Sequence, residues 1–125
     1  MTHIVLLRKP ETRKKLERWK ETLTGKDTDE CKMCTKESIK DYMYWKMITN
    51  DFPYDHISTK HHMLALKRHV GEMKDLTEDE TREYFEIANS LNNDEYTCIT
   101  LNLGSQRSIN KHLHFHLLKY PDNHI

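Results

Sequence analysis

Apolar residues recur along this chain with two different periods, and the change from one to the other divides it. Between Pro10 and Thr24 the apolar positions Leu16, Trp19 and Leu23 stand three and four apart among charged residues, with Gly25 as a stop, which predicts an amphipathic helix. Tyr42 to Thr49 has the aromatic and β-branched bias of a strand, Asn50 to Asp55 reads as a loop, and Met63 to Leu66 as a short apolar strand running into basic Lys67-Arg68-His69. Thr77 followed by Glu80 has the spacing of a capping box, and Tyr84, Ile87, Ala88 and Leu91 give the helix behind it an apolar face. Tyr96 to Leu101 is strand-like, Asn102 to Gln106 is a turn, and His112 to Leu118 alternates histidine with apolar residues. The order of elements predicts an α+β fold, an antiparallel β-sheet with a central helix packed on it. Residues 1–30 are expected to form an N-terminal helical extension and 31–125 the domain proper.

A chain of 125 residues supports one modest core. Twenty basic residues balance twenty acidic ones, so no global field holds a long nucleic acid, and any anion site is local. No basic recognition helix follows the cysteines and the net charge is zero, which makes a zinc-finger DNA reader the least favoured reading. Ile4 to Leu7 is too short for the apolar core of a signal peptide, and no apolar run approaches the length needed to span a membrane. Three cysteines leave one unpaired after any disulfide, which favours metal binding or free thiols in a reducing compartment. A cytoplasmic location is expected. Nine histidines are many for this length.

In an extended strand His112, His114 and His116 share one face, while Leu113, Phe115 and Leu117 point the other way. At roughly 3.3 Å per residue the outer two Cα atoms lie about 13 Å apart, too far for three imidazoles to hold one ion at about 2.0–2.1 Å. A His-x-His pair can chelate a metal, which leaves at least one histidine for another task. Imidazole is substantially neutral and nucleophilic near neutral pH while a neighbour donates a proton, so adjacent imidazoles can divide these roles. Cys31-x-x-Cys34 suits two ligands of tetrahedral zinc, and the same spacing serves thiol redox chemistry. Cys98 in its apolar strand reads as a core residue. Trp19 reads as core or interface, and core packing is also the expectation for Tyr42, Trp45 and Phe52, whose other use would be to wall a base pocket.

The run His112 to Leu118 resembles the signature of the histidine-triad family, His-x-His-x-His followed by two apolar residues. His61 to His69 resembles that family's upstream block, with Leu66 where the family has proline. Leu76 to Glu80 resembles the start of its central helix, and Asn102-Leu-Gly104 its asparagine-containing loop. The resemblance spans about residues 31 to 118. It implies a nucleoside-phosphate hydrolase or nucleotidyl transferase of the phosphoramidate or dinucleoside polyphosphate class. His114 would attack the α-phosphorus to give a nucleotidyl-histidine, His116 would hydrogen-bond phosphate or departing group, and the His112 carbonyl would fix the tautomer of His114. Asn102 and Ser108 would donate to phosphate oxygens, with Arg107 replacing the family's glycine before Ser108. His61 aligns near the phosphate site or at its rim, and Asn50 and Asp51 are candidates for ribose hydroxyls. Similarity to zinc-bearing members and to hexose-phosphate uridylyltransferases implies a structural Zn2+ on Cys31, Cys34, His69 and His112. The expected partner is a nucleotide, and a homodimer sharing its sheet is a further expectation. Two other readings stay open: a nucleotide-binding sensor without turnover, and a catalytic metal chelated by His112 and His114.

Overall fold

The structure, a computed structural model, describes residues 6–23, 31–103 and 112–122. Helix α1 spans Pro10–Glu21, a single helical turn α2 Lys32–Thr35, and α3 Glu78–Ser90. Strands β1 (Lys40–Asp41), β2 (Trp45–Thr49), β3 (Lys60–Leu66), β4 (Cys98–Thr100) and β5 (His114–Lys119) form one antiparallel sheet in the order β1-β2-β3-β5-β4. This is the α+β arrangement the periodicity predicts. Among the described residues no helix is long and apolar enough to cross a membrane.

The register sorts the sheet into two faces. Leu64 pairs with Phe115 and Met47, and Leu66 with Trp45, so these side chains share the face that α3 covers. There Tyr84 stacks on Phe115 with ring centroids 4.3 Å apart, and Trp45 and Ile87 complete a core with Leu113 and Leu117. Helix α3 is fastened at its start by the full capping box: Thr77 Oγ1 accepts from the Glu80 amide, and the Glu80 carboxylate accepts from the Thr77 amide. Glu80 is 3% exposed and also receives Arg68 at 2.8 Å, while its carbonyl accepts from Trp45 Nε1. One residue thus joins the helix cap to the end of β3 and to the core.

On the opposite face, Ala65 pairs with His114 and Met63 with His116, so the histidines stand beside Met63, Ala65 and Ile48, with Met33 of α2 packed over them. This face is not an open row of imidazoles. His112, His114 and His116 are all buried. Helix α1 lies along the same pocket, with Leu16 and Trp19 in its wall, and is fastened to the loop after β2. Lys9 N and Thr12 Oγ1 both donate to Asp55, at 2.7 and 2.5 Å, and Trp19 packs on Phe52 with centroids 5.6 Å apart.

Three boundaries differ from the sequence reading. Tyr42 to Tyr44 is a turn, not strand, because the Glu83 carboxylate accepts from three successive amides, Met43, Tyr44 and Trp45, and holds them convergent. Strand β3 begins at Lys60 rather than Met63, since its pairing with β5 extends to Lys119. Cys98 sits half-buried on the edge strand rather than in the core.

Candidate functional site

Two clusters form at opposite ends of the histidine run. The first lies just before β5, where His112 meets Cys31 and Cys34 from the α2 turn and His69 from beyond β3. Cys31 Sγ is 3.3 Å from His112 Nδ1, Cys34 Sγ is 3.2 Å from His69 Nδ1 and 3.5 Å from His112 Nδ1, and the two Nδ1 atoms are 3.2 Å apart. All four candidate ligand atoms lie within 4.8 Å of one another. The edges of a tetrahedron with Zn–S near 2.3 Å and Zn–N near 2.0–2.1 Å are about 3.3–3.8 Å, close to the separations of 3.2–3.5 Å between these donors. The His112 tautomer agrees with this. Its Nε2 lies 2.5 Å from the Leu66 carbonyl, which only accepts, so Nε2 carries the hydrogen and Nδ1 turns its lone pair toward the thiols. Burial, with His69 and Lys46 adding to it, holds His112 below the ordinary histidine range, which keeps it neutral as a ligand must be. Cys31, Cys34, His69 and His112 are therefore compatible with a metal site.

The second cluster lies along β5. His114 Nδ1 is 2.8 Å from the His112 carbonyl, so this nitrogen is the donor and Nε2 is left with the lone pair. His116 Nδ1 lies 2.7 Å from His61 Nε2. The direction of that bond follows from the backbone: the Tyr54 amide donates to His61 Nδ1 at 2.9 Å, which places the His61 hydrogen on Nε2, aimed at His116 Nδ1. A neutral His116 then carries its hydrogen on Nε2, with Tyr54 Oη 3.5 Å and Asn102 Nδ2 3.4 Å away. Burial, then the surrounding imidazoles and Arg8, push His61 down to about 3 and His116 down to about 2, so the pair is neutral at physiological pH.

The pocket beside these histidines is lined by His114 and His116, by Asn50, Asp51, Phe52 and Tyr54 of the loop after β2, and by residues of α1 and α2. His61 is brought together with His116, deep in the site rather than at its rim. Asn102 donates to Tyr54 Oη at 2.7 Å and stands beside His116. Asn50 is held by accepting from the Phe52 amide at 2.8 Å, with its amide nitrogen 3.3 Å from His61. Asp51 bridges Lys32 and Lys36, each at 2.5 Å, and these two cations keep its carboxyl below the ordinary range against the opposing effect of burial. Ser108 and Arg107 lie outside the described residues. Trp19 and Phe52 line the pocket, which for Phe52 departs from the expectation of core packing, whereas Trp45 is wholly in the core.

Sequence reasoning missed Arg8, Lys32, Lys36 and Tyr54. Tyr54 is buried, stacks on His116 with centroids 5.0 Å apart and orients His61 through its amide. Nothing periodic marks a loop residue of this kind. Lys32 is the exception, because a basic residue between two candidate ligand cysteines is carried wherever the metal turn goes.

No family model and no curated protein sequence matches the chain. Among solved structures it is similar to a HIT family hydrolase from Clostridium thermocellum, with a TM-score of 0.58 and 17% identity over 78% of this chain and 96% of that one. A histidine triad protein from Clostridium difficile aligns over 75% of this chain and 93% of its own at 17% identity, with a TM-score of 0.48. The chain has the HIT-like fold that the resemblance implies.

Proposed function

We propose that this protein is a nucleoside-phosphate hydrolase or nucleotidyl transferase that cleaves at the α-phosphate through His114. The observation that carries the reading is the bond from His114 Nδ1 to the His112 carbonyl, which in the neutral imidazole places the lone pair on Nε2 of a side chain lining the pocket. Attack by Nε2 forms a P–N bond and expels the departing group, and water then cleaves that bond to regenerate His114. His116 is the donor to the phosphate or departing group, because its Nε2 hydrogen is fixed by His61 and, through it, by the Tyr54 amide. Asn102 and Ser108 serve phosphate oxygens, and Trp19 with Phe52 offers an apolar wall for a base. The similarity in fold to a HIT family hydrolase supports the same class of chemistry.

The ion suited to Cys31, Cys34, His69 and His112 is zinc. Two thiolates and two imidazoles fill a tetrahedral shell, so the site is structural and leaves no position for substrate. It would tether the α2 turn and the segment after β3 to the start of the reactive strand.

The test is chemical trapping. Protein incubated with adenosine phosphoramidate or a dinucleoside polyphosphate and quenched in denaturant is expected to carry one nucleotidyl group on the peptide containing His114. His114→Ala is expected to lose the adduct and to lower turnover by at least about 10³-fold. Equal turnover by wild type and variant would overturn the catalytic reading. Retained nucleotide affinity with no adduct in either would favour a sensor.

A further inference from the structure

The segment before α1 gives the pocket a cation that the triad does not account for. Arg8 is half-buried and lines the pocket with His114 and His116. Its Nε donates to the Phe52 carbonyl at 2.7 Å, and its guanidinium carbon lies 4.7 Å from the centroid of the Tyr54 ring, which also packs on His61 and His116 and accepts from the Asn102 amide. Lys9 N and Thr12 Oγ1, both on Asp55, hold the segment in place. The carbonyl bond uses one of five N–H donors and the Tyr54 side chain takes another, so the guanidinium is anchored at two points and keeps further donors for a ligand.

Charge balance gives this placement a meaning. The pocket lining contains the cations Arg8, Lys32 and Lys36 and the carboxylate Asp51. Both lysines sit at 2.5 Å from Asp51, and Lys32 lies over the Trp19 and Phe52 rings. At the histidine end the His61–His116 pair contributes no positive charge at neutral pH, and Asp55, the acid nearest Arg8, is already engaged by Lys9 and Thr12. An anionic phosphate entering beside side chains that are 4% exposed loses much of its hydration and needs a paired cation. Arg8 stands against the Tyr54 ring that stacks on His116, and its charge is felt by both His116 and His61, so it is placed to meet a phosphate at the histidine end of the pocket.

We propose that Arg8 binds the phosphate following the α-phosphate, so that the pocket selects nucleoside di- or polyphosphates, dinucleoside polyphosphates included, over esters and amides with an uncharged departing group. This inference rests on the nucleotide reading above and adds the class of departing group to it. The N-terminal segment then acts as a specificity element, and Arg8 as its reading side chain.

Equilibrium titration of the metal-loaded full chain with the AMP/ADP and UMP/UDP pairs tests it. Wild type is expected to bind at least one diphosphate about 10–100-fold more tightly than its monophosphate, the worth of a charge-assisted hydrogen-bond pair. Arg8→Gln is expected to bring that ratio close to one, and Arg8→Lys to leave it intermediate. Thr12→Val removes one of the bonds to Asp55 without touching the guanidinium, and is expected to keep the preference. A wild-type ratio near one, a ratio unchanged in Arg8→Gln, or an equal collapse in Thr12→Val would overturn the role of Arg8 while leaving nucleotide binding intact. Failure of wild type to bind any of the four nucleotides would remove the nucleotide reading and this inference together.

Discussion

His112 and His116 occupy the two ends of the same alternating run, carry the same side chain and are both buried, yet their surroundings suit them to opposite tasks. At the His112 end a backbone carbonyl takes the Nε2 hydrogen and turns Nδ1 toward two thiols and a second imidazole. At the His116 end a backbone amide acts through His61 to fix a neutral donor beside Tyr54 and Asn102. His114 lies between and borrows from the first end, since the carbonyl that fixes its tautomer belongs to His112. The difference teaches that the motif supplies imidazoles at regular intervals and that single main-chain groups assign their roles. A metal at one end would steady the reactive nitrogen two residues away without meeting the substrate.

The sharpest way to break this division is to remove the ion. If the first cluster is structural, chelation or Cys34→Ser should cost about 4 kcal/mol, the stabilisation from an ion present at a thousand times its dissociation constant. That corresponds to a fall in melting temperature of about 10–20 °C, read by calorimetry. A melting temperature unchanged by chelation would mean that the cluster does not bind an ion tightly under those conditions.

Acid separates the ends next. His61 and His116 have folded values of about 3 and about 2, far below an unfolded value near 6.5, so the unfolded chain binds protons that the folded chain refuses. The neutral pair's full contribution is therefore present above about pH 6.5 and is lost as pH falls toward 3. The slope is up to about 1.4 kcal/mol per pH unit for each histidine. Metal ligands take up protons in an overlapping range, so the informative quantity is the difference between wild type and His61→Asn in urea unfolding from pH 7 to pH 4. The variant should be less stable at pH 7 and should show the shallower slope. Equal slopes would contradict a neutral buried pair.

The smallest expected effect comes from a residue outside both clusters. Thr77→Ala removes the side-chain half of the capping box on α3 and should cost about 1 kcal/mol, with metal content and catalytic rate unchanged. A change in either would show that the two ends communicate through the core face of the sheet.

What the sequence disclosed follows the same divide between local pattern and distant partner. The Thr77–Glu80 box, the alternation in β5 and the Cys31–Cys34 spacing are written in neighbouring residues, and each reappears in the structure as its chemistry requires. The joining of His69 and His112 to the cysteines was legible through resemblance, since spacing alone left the partners of Cys31 and Cys34 open. Tyr42 to Tyr44 misled because β-propensity was present while the deciding group, Glu83, lay about forty residues away on α3. Arg8 and Tyr54 were invisible for a related reason. Their place in the pocket depends on Asp55 and Phe52 receiving the N-terminal segment, a tertiary contact with no periodic signature. The histidine face was expected to contrast with the core, but α1 and α2 bury it as well, and that burial holds His61 and His116 neutral.

The division of the strand meets its most direct test in the metal content of purified His114→Ala. If Cys31, Cys34, His69 and His112 hold the ion, the variant is expected to keep one tightly held ion per chain, as in wild type, with nucleotide transfer abolished. Loss of the ion with the His114 side chain would contradict it, making His114 a ligand and the chemistry that of a metal held by His112 and His114.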